Sequence, residues 1–315
     1  MEKTHRAAVS AASVPGKRFA FVCGLHRSGT TLITRSLAQH PMVSAFTNTG
    51  VIEDEGQFLQ TVLPLEIAFG GVGRFGFDPR AHMTETSELN TPHAANRLLT
   101  EWRRHWNMDK TVLVEKTPSN LLRMRLLDRL LEPSTFIIVT RHPVAASLAT
   151  MKWTEGNLFS LIAHWVHCYG MAREDAAHID RTLWLSYEAF VARPEEELAR
   201  LLAFLGLSAH ADWNLDLRDD NARYFEAWRT RYFAEADRAI EQIPPERERN
   251  LLTRARERFE RGRRERALPL HRKPENVGGF RDAQDAVALF EAAVGEFGYS
   301  LTDLTKAPNA MARDR

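Results

Sequence analysis

Cysteine is scarce in this chain: Cys23 and Cys168 are the only two in 315 residues. A single pair is no disulfide framework, and neither residue stands in a zinc-type spacing. Cys23 lies in an apolar run and reads as a small buried hydrophobe. Charge imbalance is also absent. Lys and Arg number 42 against 41 Asp and Glu, a net of +1. No global field therefore points to nucleic acid or to an acidic membrane. The opening MEKTHRAAVSAASVPGKR lacks the apolar centre of a secretory signal. No run approaches the length needed to span a bilayer. The expectation is a soluble chain in a reducing, cytoplasmic compartment, without a nucleic-acid partner. Internal repeats are missing as well.

What remains is an ordinary globular composition, 44% hydrophobic and 26% charged. Residues 1–17 and 306–315 are expected as mobile ends, with one α/β domain over 18–305. Four apolar, β-rich runs stand out: FAFVC (19–23), TVLVE (111–115), TFIIVT (135–140) and TLWLS (182–186). Near-continuous apolar runs suit strands covered on both faces of a parallel sheet. Helical patterns over 30–39, 119–131, 143–152 and 194–205 follow the strands. The fold class is therefore α/β, a P-loop-like and mainly parallel sheet flanked by helices, with a helical C-terminal region. Ligands of such sheets sit at the carboxyl ends of the strands, which points to 24–29, 115–119 and 141–143.

Two stretches fit this alternation less well. Residues 56–80 mix apolar side chains with Gly70, Gly71, Gly73 and Gly76. They read as a lid or acceptor wall, or as a surface excursion packed on the core. Residues 210–275 are helical in pattern and densely charged, which suits a solvated face. The aromatics Tyr224, Phe225, Trp228, Tyr232 and Phe233 recur there at helical spacing and read as core rather than pocket.

The loop after the first run carries the chemistry. Gly24 and Gly29 are separated by four residues, as in a Walker loop. Backbone N–H groups of such a turn and of the next helix form an anion cradle. Thr30 and Thr31 add hydroxyls, and Arg27 adds a positive charge. Thr30 occupies the place of the Walker Lys, and no clear acidic metal ligand follows a second strand, which weighs against a nucleoside triphosphate with Mg²⁺. Arg141 stands just past another strand end, before a helix opened by Pro143. Glu115 and Lys116 stand at a third strand end, where they can pair with each other or line the crevice.

Together these segments resemble the nucleotide-dependent sulfotransferases, in particular bacterial relatives of the tyrosylprotein and heparan sulfate enzymes. HRSGTT resembles their 5′-phosphosulfate loop, TRHPVAAS their 3′-phosphate segment, WLSYEAFVARPEEELARLLAFLGL their Tyr-Glu to Phe-Leu-Gly segment, and EKTP a sequence of the carbohydrate branch. HRKPENVGGF (271–280) resembles a late cofactor-covering loop. The resemblance implies the cofactor PAPS (3′-phosphoadenosine 5′-phosphosulfate, with PAP as product), no metal, and a hydroxyl-bearing acceptor. It implies that Arg27, Ser28, Gly29, Thr30 and Thr31 contact the 5′-phosphosulfate, that Arg141 holds the 3′-phosphate, and that Tyr187 lies near the adenine. Two positions depart from the family pattern. The Ser expected eight residues after the Arg is Ala149, which leaves Ser147 or Thr150 for that role. The Glu expected about twenty residues after the loop Arg is Asn48.

Sulfuryl transfer needs a cation at the leaving oxygen and a base for the acceptor proton. Arg27 and Lys116 are the candidate cations. Glu55 is the first choice for the base, Glu53 the second and Glu115 the third, with EDE (53–55) as a merely solvated turn the competing reading. His26 and His142 flank the two phosphate loops as expected positioners. The alternatives are a P-loop kinase-like phosphotransferase and a non-catalytic nucleotide-binding protein of the same fold.

Overall fold

Five strands form one parallel sheet in the order β2-β3-β1-β4-β5: β1 (Arg18–Cys23), β2 (Val43–Ala45), β3 (Val112–Lys116), β4 (Ser134–Thr140) and β5 (Thr182–Ser186). The computed structural model describes residues 11–215, 217, 219–233 and 281–308. The loop at 271–280 and most of the charged stretch 210–275 lie outside them. The short edge strand β2 was not legible in the sequence, because three residues carry no periodicity of their own.

Both faces of the sheet are dry. Phe19, Phe21 and Cys23 point to one core with Trp102, Trp106, Phe136, Trp165 and Tyr169. Ala20 and Val22 point to the other, with Ile33, Leu37, Val114, Val139 and Leu201. This is the strict alternation of side chains along a strand, and it explains why the runs read as continuously apolar. Phe21 stacks on Phe136 at 5.1 Å between ring centres, across the β1–β4 pair.

The chain leaves β1 toward β2 and β3 on one side, then crosses to β4 and β5 on the other. The loops after β1, β3 and β4 therefore end side by side, at the switch point where such sheets bind ligands. Helix α1 (Thr30–Leu37) follows β1, and α2 (Pro92–Trp102) precedes β3. The expected helix 119–131 is in fact two pieces, a 3₁₀ turn at Pro118–Leu122 and α3 (Met124–Leu130), broken at Arg123. Helix α4 (Pro143–Thr150) starts directly after β4.

Helix α5 (Leu158–Ala176) is the longest described helix. Beyond β5 come α6 (Tyr187–Ala192), α7 (Pro194–Phe204), α8 (Asn221–Ala227) and α9 (Arg281–Gly295). Residues 56–81 fold as short 3₁₀ turns, and Gly70, Gly71 and Gly73 all have positive φ. At Gly73 a β-carbon would lie 2.4 Å from Leu161, so α5 also demands the missing side chain. Within the stretch expected to be a mobile N-terminus, Ala12 is tied to the end of α3 by bridging to Leu131. No described helix is long and apolar enough to cross a membrane.

Candidate active site

The turn after β1 is wound tightly by two left-handed residues, Arg27 (φ 65°) and Gly29 (φ 101°). Glycine is required at the second for a further reason: a β-carbon there would sit 2.7 Å from the Tyr187 ring. The turn delivers the chain into α1, whose first N–H groups have no partner within the helix. Thr31 Oγ1 donates to Glu53 Oε2 at 3.4 Å. Ser28 is fully buried, and its N–H bonds to Leu25 O at 3.1 Å.

Arg141 is buried against this turn. Its Nε donates to Asn221 Oδ1 at 2.8 Å and one Nη to Arg27 O at 2.9 Å. The other Nη has no partner, and neither has Arg27 Nε, although both atoms are buried. The Arg141 guanidinium lies 4.3 Å over the Tyr187 ring and 5.6 Å from that of Tyr224. Burial holds its pKa below the ordinary arginine value, which the nearby Tyr187 and Glu188 partly offset. Arg27 stacks on Trp153 at 5.4 Å. Of the aromatics expected in the core, Trp228 is buried there, whereas Tyr224 faces Arg141.

One cavity of about 280 Å³ gathers these groups, with Arg27, Gly29, Thr30, Thr31, Arg141 and Tyr187 in its wall. Glu53 and Glu55 line the same cavity. The two carboxylates differ in setting. Glu53 is exposed, on a left-handed residue (φ 51°). Glu55 is buried, 3.2 Å from Lys116 Nζ, and accepts a 2.6 Å hydrogen bond from Gln57 Nε2. The neighbouring Asp54 is consumed by the turn itself, accepting from the N–H groups of Asn48 and Thr49 and from the Thr49 hydroxyl.

Glu115 and Lys116 do not pair with each other. Adjacent strand residues face opposite sides of the sheet. Lys116 reaches Glu55 and Glu53 O (2.9 Å). Glu115 instead accepts from Gly56 N, Thr117 Oγ1 and Asn120 Nδ2. Burial outweighs those bonds and raises its pKa to about 7. Glu115 does not line the cavity, so its carboxyl is a structural group of the 56–57 turn. Lys116 lines a smaller space of about 30 Å³ that shares Thr31 and Glu53 with the main cavity.

Residues 20–212 match the model of the sulfotransferase family. The chain belongs to that family. The match covers nearly all of the sheet and the loops after β1, β3 and β4, so sulfuryl transfer is the chemistry to which this sulfotransferase fold answers. Solved sulfotransferases resemble it only distantly. The sulfotransferase domain of the Synechococcus PCC 7002 olefin synthase is 19% identical, with 70% of this chain and 91% of that one covered and a TM-score of 0.41. A sulfotransferase from Alicyclobacillus acidocaldarius is 14% identical, covering 66% and 89%, at 0.42. One from Mycobacterium avium is 13% identical, covering 69% of each, at 0.44. No curated protein matches the sequence.

Ser147 is not brought to the main cavity of the sulfotransferase. It lines a space of about 20 Å³ on the far side of His26, together with Thr150. Thr150 Oγ1 donates to Ala146 O at 2.8 Å, an ordinary helix-backbone bond. The helix begins at Pro143, so a residue six after Arg141 points away from it.

Several groups that shape the site were missed in the sequence. From α5, Trp165 Nε1 donates to Arg141 O at 3.0 Å, and Tyr169 accepts from Leu25 N while donating to Val139 O. The segments after β1 and β4 thus rest on one helix. Its apolar residues at 158, 161, 162, 165, 168, 169 and 172 were the signal, a helical stripe. Glu188 accepts from His142 N, Asn221 Nδ2 and Tyr299 Oη, and burial raises its pKa. Nothing in a lone Glu announces that role.

Both flanking histidines are positioners. His26 Nε2 lies 3.0 Å from Glu66 Oε1, which fastens the 3₁₀ turn at Glu66–Phe69 beside the turn after β1. His142 caps α4, accepting from Val144 N through Nδ1, while Nε2 donates to Ser300 O at 3.0 Å. Burial drives the His142 pKa from 6.5 to about 3, so the ring stays neutral. The unfolded chain binds a proton there below about pH 6.5 and the folded chain does not, so stability falls as pH drops from 6.5 toward 3 and is unaffected above. Asn is a good N-cap but does not titrate. His142→Asn should therefore be less stable at pH 7 through lost packing, yet lose less on acidification. Its urea-unfolding free energy should decline between pH 6.5 and 5 less steeply than the parent's, by up to about 1.4 kcal/mol per pH unit. His164, also driven to about 3, keeps part of the slope. Equal slopes would show that His142 is not the neutral buried group described.

Proposed function

We propose that this chain transfers a sulfuryl group from PAPS to a hydroxyl acceptor. One observation carries the reading. Two guanidinium groups, those of the half-buried Arg27 and the buried Arg141, each keep one buried N–H without a partner while lining the same cavity, beside the turn that opens α1. A buried donor left unpaired is costly, so both favour an anionic ligand. Two guanidinium groups and a helix N-terminus suit a ligand with anionic groups at more than one place. PAPS is such a ligand, and the residues present fit it.

In this reading Arg27, Ser28, Gly29, Thr30 and Thr31 hold the 5′-phosphosulfate and Arg141 the 3′-phosphate. Tyr187, flat against Gly29 and Arg141, lies beside the adenine. Ser147 opens onto the other cavity, and no contact is proposed for it. When bound, PAPS supplies the sulfuryl group and a phosphate leaving group. Arg27 offers positive charge to the oxygens of that loop. Glu55 takes the proton of the acceptor hydroxyl. Lys116 and Gln57 position the Glu55 carboxylate, and Lys116 is not itself in the cavity wall.

Nucleotide selectivity tests the reading. PAP at a hundred times its dissociation constant should stabilise the protein against unfolding by roughly 2.7 kcal/mol. ATP with Mg²⁺ at the same concentration should do far less, because Thr30 replaces the Walker Lys. Thermal unfolding with each ligand decides it, and equal stabilisation by the two would overturn the assignment.

A further inference from the structure

Arg141 is a buried cation to which no carboxylate among the described residues hydrogen-bonds. Acids are nevertheless close. Glu188 and Asp220 both act on its charge from nearby. Each is held by other groups. Asp220 pairs with Arg223 at 3.3 Å. Glu188 accepts from three donors: His142 N at 2.9 Å and Asn221 Nδ2 at 2.7 Å on one oxygen, and Tyr299 Oη at 3.0 Å on the other.

Asn221 stands between Arg141 and Glu188. It is buried, and its amide serves both neighbours. Oδ1 accepts from Arg141 Nε at 2.8 Å, and Nδ2 donates to Glu188. Both ends are forced, since a guanidinium only donates and an ionised carboxylate only accepts. The Asn221 N–H bonds to Asp219 Oδ1 at 3.0 Å, which fixes the residue at the start of α8.

A guanidinium beside a free carboxylate readily closes on it through two parallel hydrogen bonds. Such a pair is neutral and has fewer donors left, so an anionic ligand would have to break it before binding. The amide prevents that closure. It carries no charge and occupies only Nε. One Nη goes to Arg27 O, and the other keeps a buried N–H without a partner in a residue that lines the main cavity.

We propose that Asn221 is a positioning residue that insulates Arg141 from Glu188, so that the guanidinium meets the 3′-phosphate of the nucleotide with its charge and one set of donors free. The proposal rests on the reading of Arg141 as the 3′-phosphate contact. It makes Asn221 a determinant of nucleotide choice, through a group that itself touches no ligand.

The test compares two probes on the full chain by calorimetric titration. They are PAP and AMP, which differ only in the 3′-phosphate. Asn221→Asp keeps the shape of the side chain but puts a carboxylate against Arg141. PAP should then bind about 10- to 100-fold more weakly, the worth of one hydrogen bond to a charged group, while AMP binds as it does to the parent. The new carboxylate also meets Glu188, so a second variant removes that repulsion. Asn221→Asp combined with Glu188→Gln has the parent's charge count, with the carboxylate moved one place toward Arg141. Its preference for PAP over AMP should stay lost. An unchanged PAP-to-AMP ratio in Asn221→Asp, or a ratio restored in the double variant, would overturn the proposal. So would a loss of AMP in step with PAP in both variants, which is what a merely structural Asn221 would give. Arg141→Ala measured alongside separates the cases. If it loses the preference for PAP, only the role of Asn221 is wrong. If it keeps that preference, Arg141 is not the 3′-phosphate contact and the reading of the cavity falls as well.

Discussion

Glu55→Gln should keep its affinity for PAP and lose turnover by about 10²–10⁴-fold, the range for a removed general base. The expectation comes from comparing the carboxylates around the cavity. Glu115 is turned into the core and bonded to Gly56, Thr117 and Asn120. Asp54 is used up by the turn at 48–49. Glu53 lines the cavity but stands in water. Glu55 alone among these is both in the cavity wall and fixed, by Lys116 at 3.2 Å and Gln57 at 2.6 Å. Gln retains the shape and one acceptor oxygen, so Lys116 keeps a partner, as it does through Glu53 O. Single-turnover rates and PAP titrations on the purified variant, with Glu53→Gln beside it, decide the matter. Near-normal turnover would transfer the role to Glu53. A parallel loss of PAP affinity would mean that the Glu55–Lys116 pair shapes the nucleotide site instead of taking the proton.

The second large effect is expected at Arg141. Arg141→Ala should weaken PAP binding by about 1.5–3 kcal/mol, the worth of a hydrogen bond to a charged group, or roughly 10- to 150-fold in dissociation constant. Lys should recover only part of it. The guanidinium fork serves Asn221, Arg27 O and the ligand at once, and an ammonium on a flexible stem does not reproduce three fixed directions. Ser147→Ala should change little, since that hydroxyl opens onto the other cavity. Isothermal titration of the three variants supplies the comparison, with unliganded melting temperatures to identify loss of fold. Unchanged affinity in a folded Arg141→Ala would place the nucleotide elsewhere.

Four of the five strands and the glycine-bounded turn after β1 were legible because they rest on local chemistry. Four buried runs declared a covered parallel sheet, and Gly24 and Gly29 declared a tight turn between β1 and α1. The structure adds the second reason for Gly29, the Tyr187 ring, which no local rule contains. The partner of Lys116 was left open between Glu115 and the crevice, and it is Glu55; the alternation that sends neighbouring strand residues to opposite faces separates Lys116 from Glu115. The support of both loops by Trp165 and Tyr169 joins residues 24 or more positions apart. Such contacts belong to tertiary packing. Glu188 is the extreme case, a single carboxylate satisfied by groups from α4, α8 and the segment after α9.

That last segment sets an order of events during synthesis. Ser300 O receives His142 Nε2, and Tyr299 Oη lies between Thr140 Oγ1 and Glu188 Oε2. The end of β4 and the start of α4, where Arg141 stands, are thus braced by residues made more than 150 positions later. A ribosome that has delivered the whole sheet has not yet delivered the brace. The nascent protein would hold a finished scaffold with a loose anion site, and would gain its grip on nucleotide only as residues 281–308 dock. Domains usually assemble from the amino end as they emerge, and on that order the sheet would form first and the brace of the Arg141 corner last.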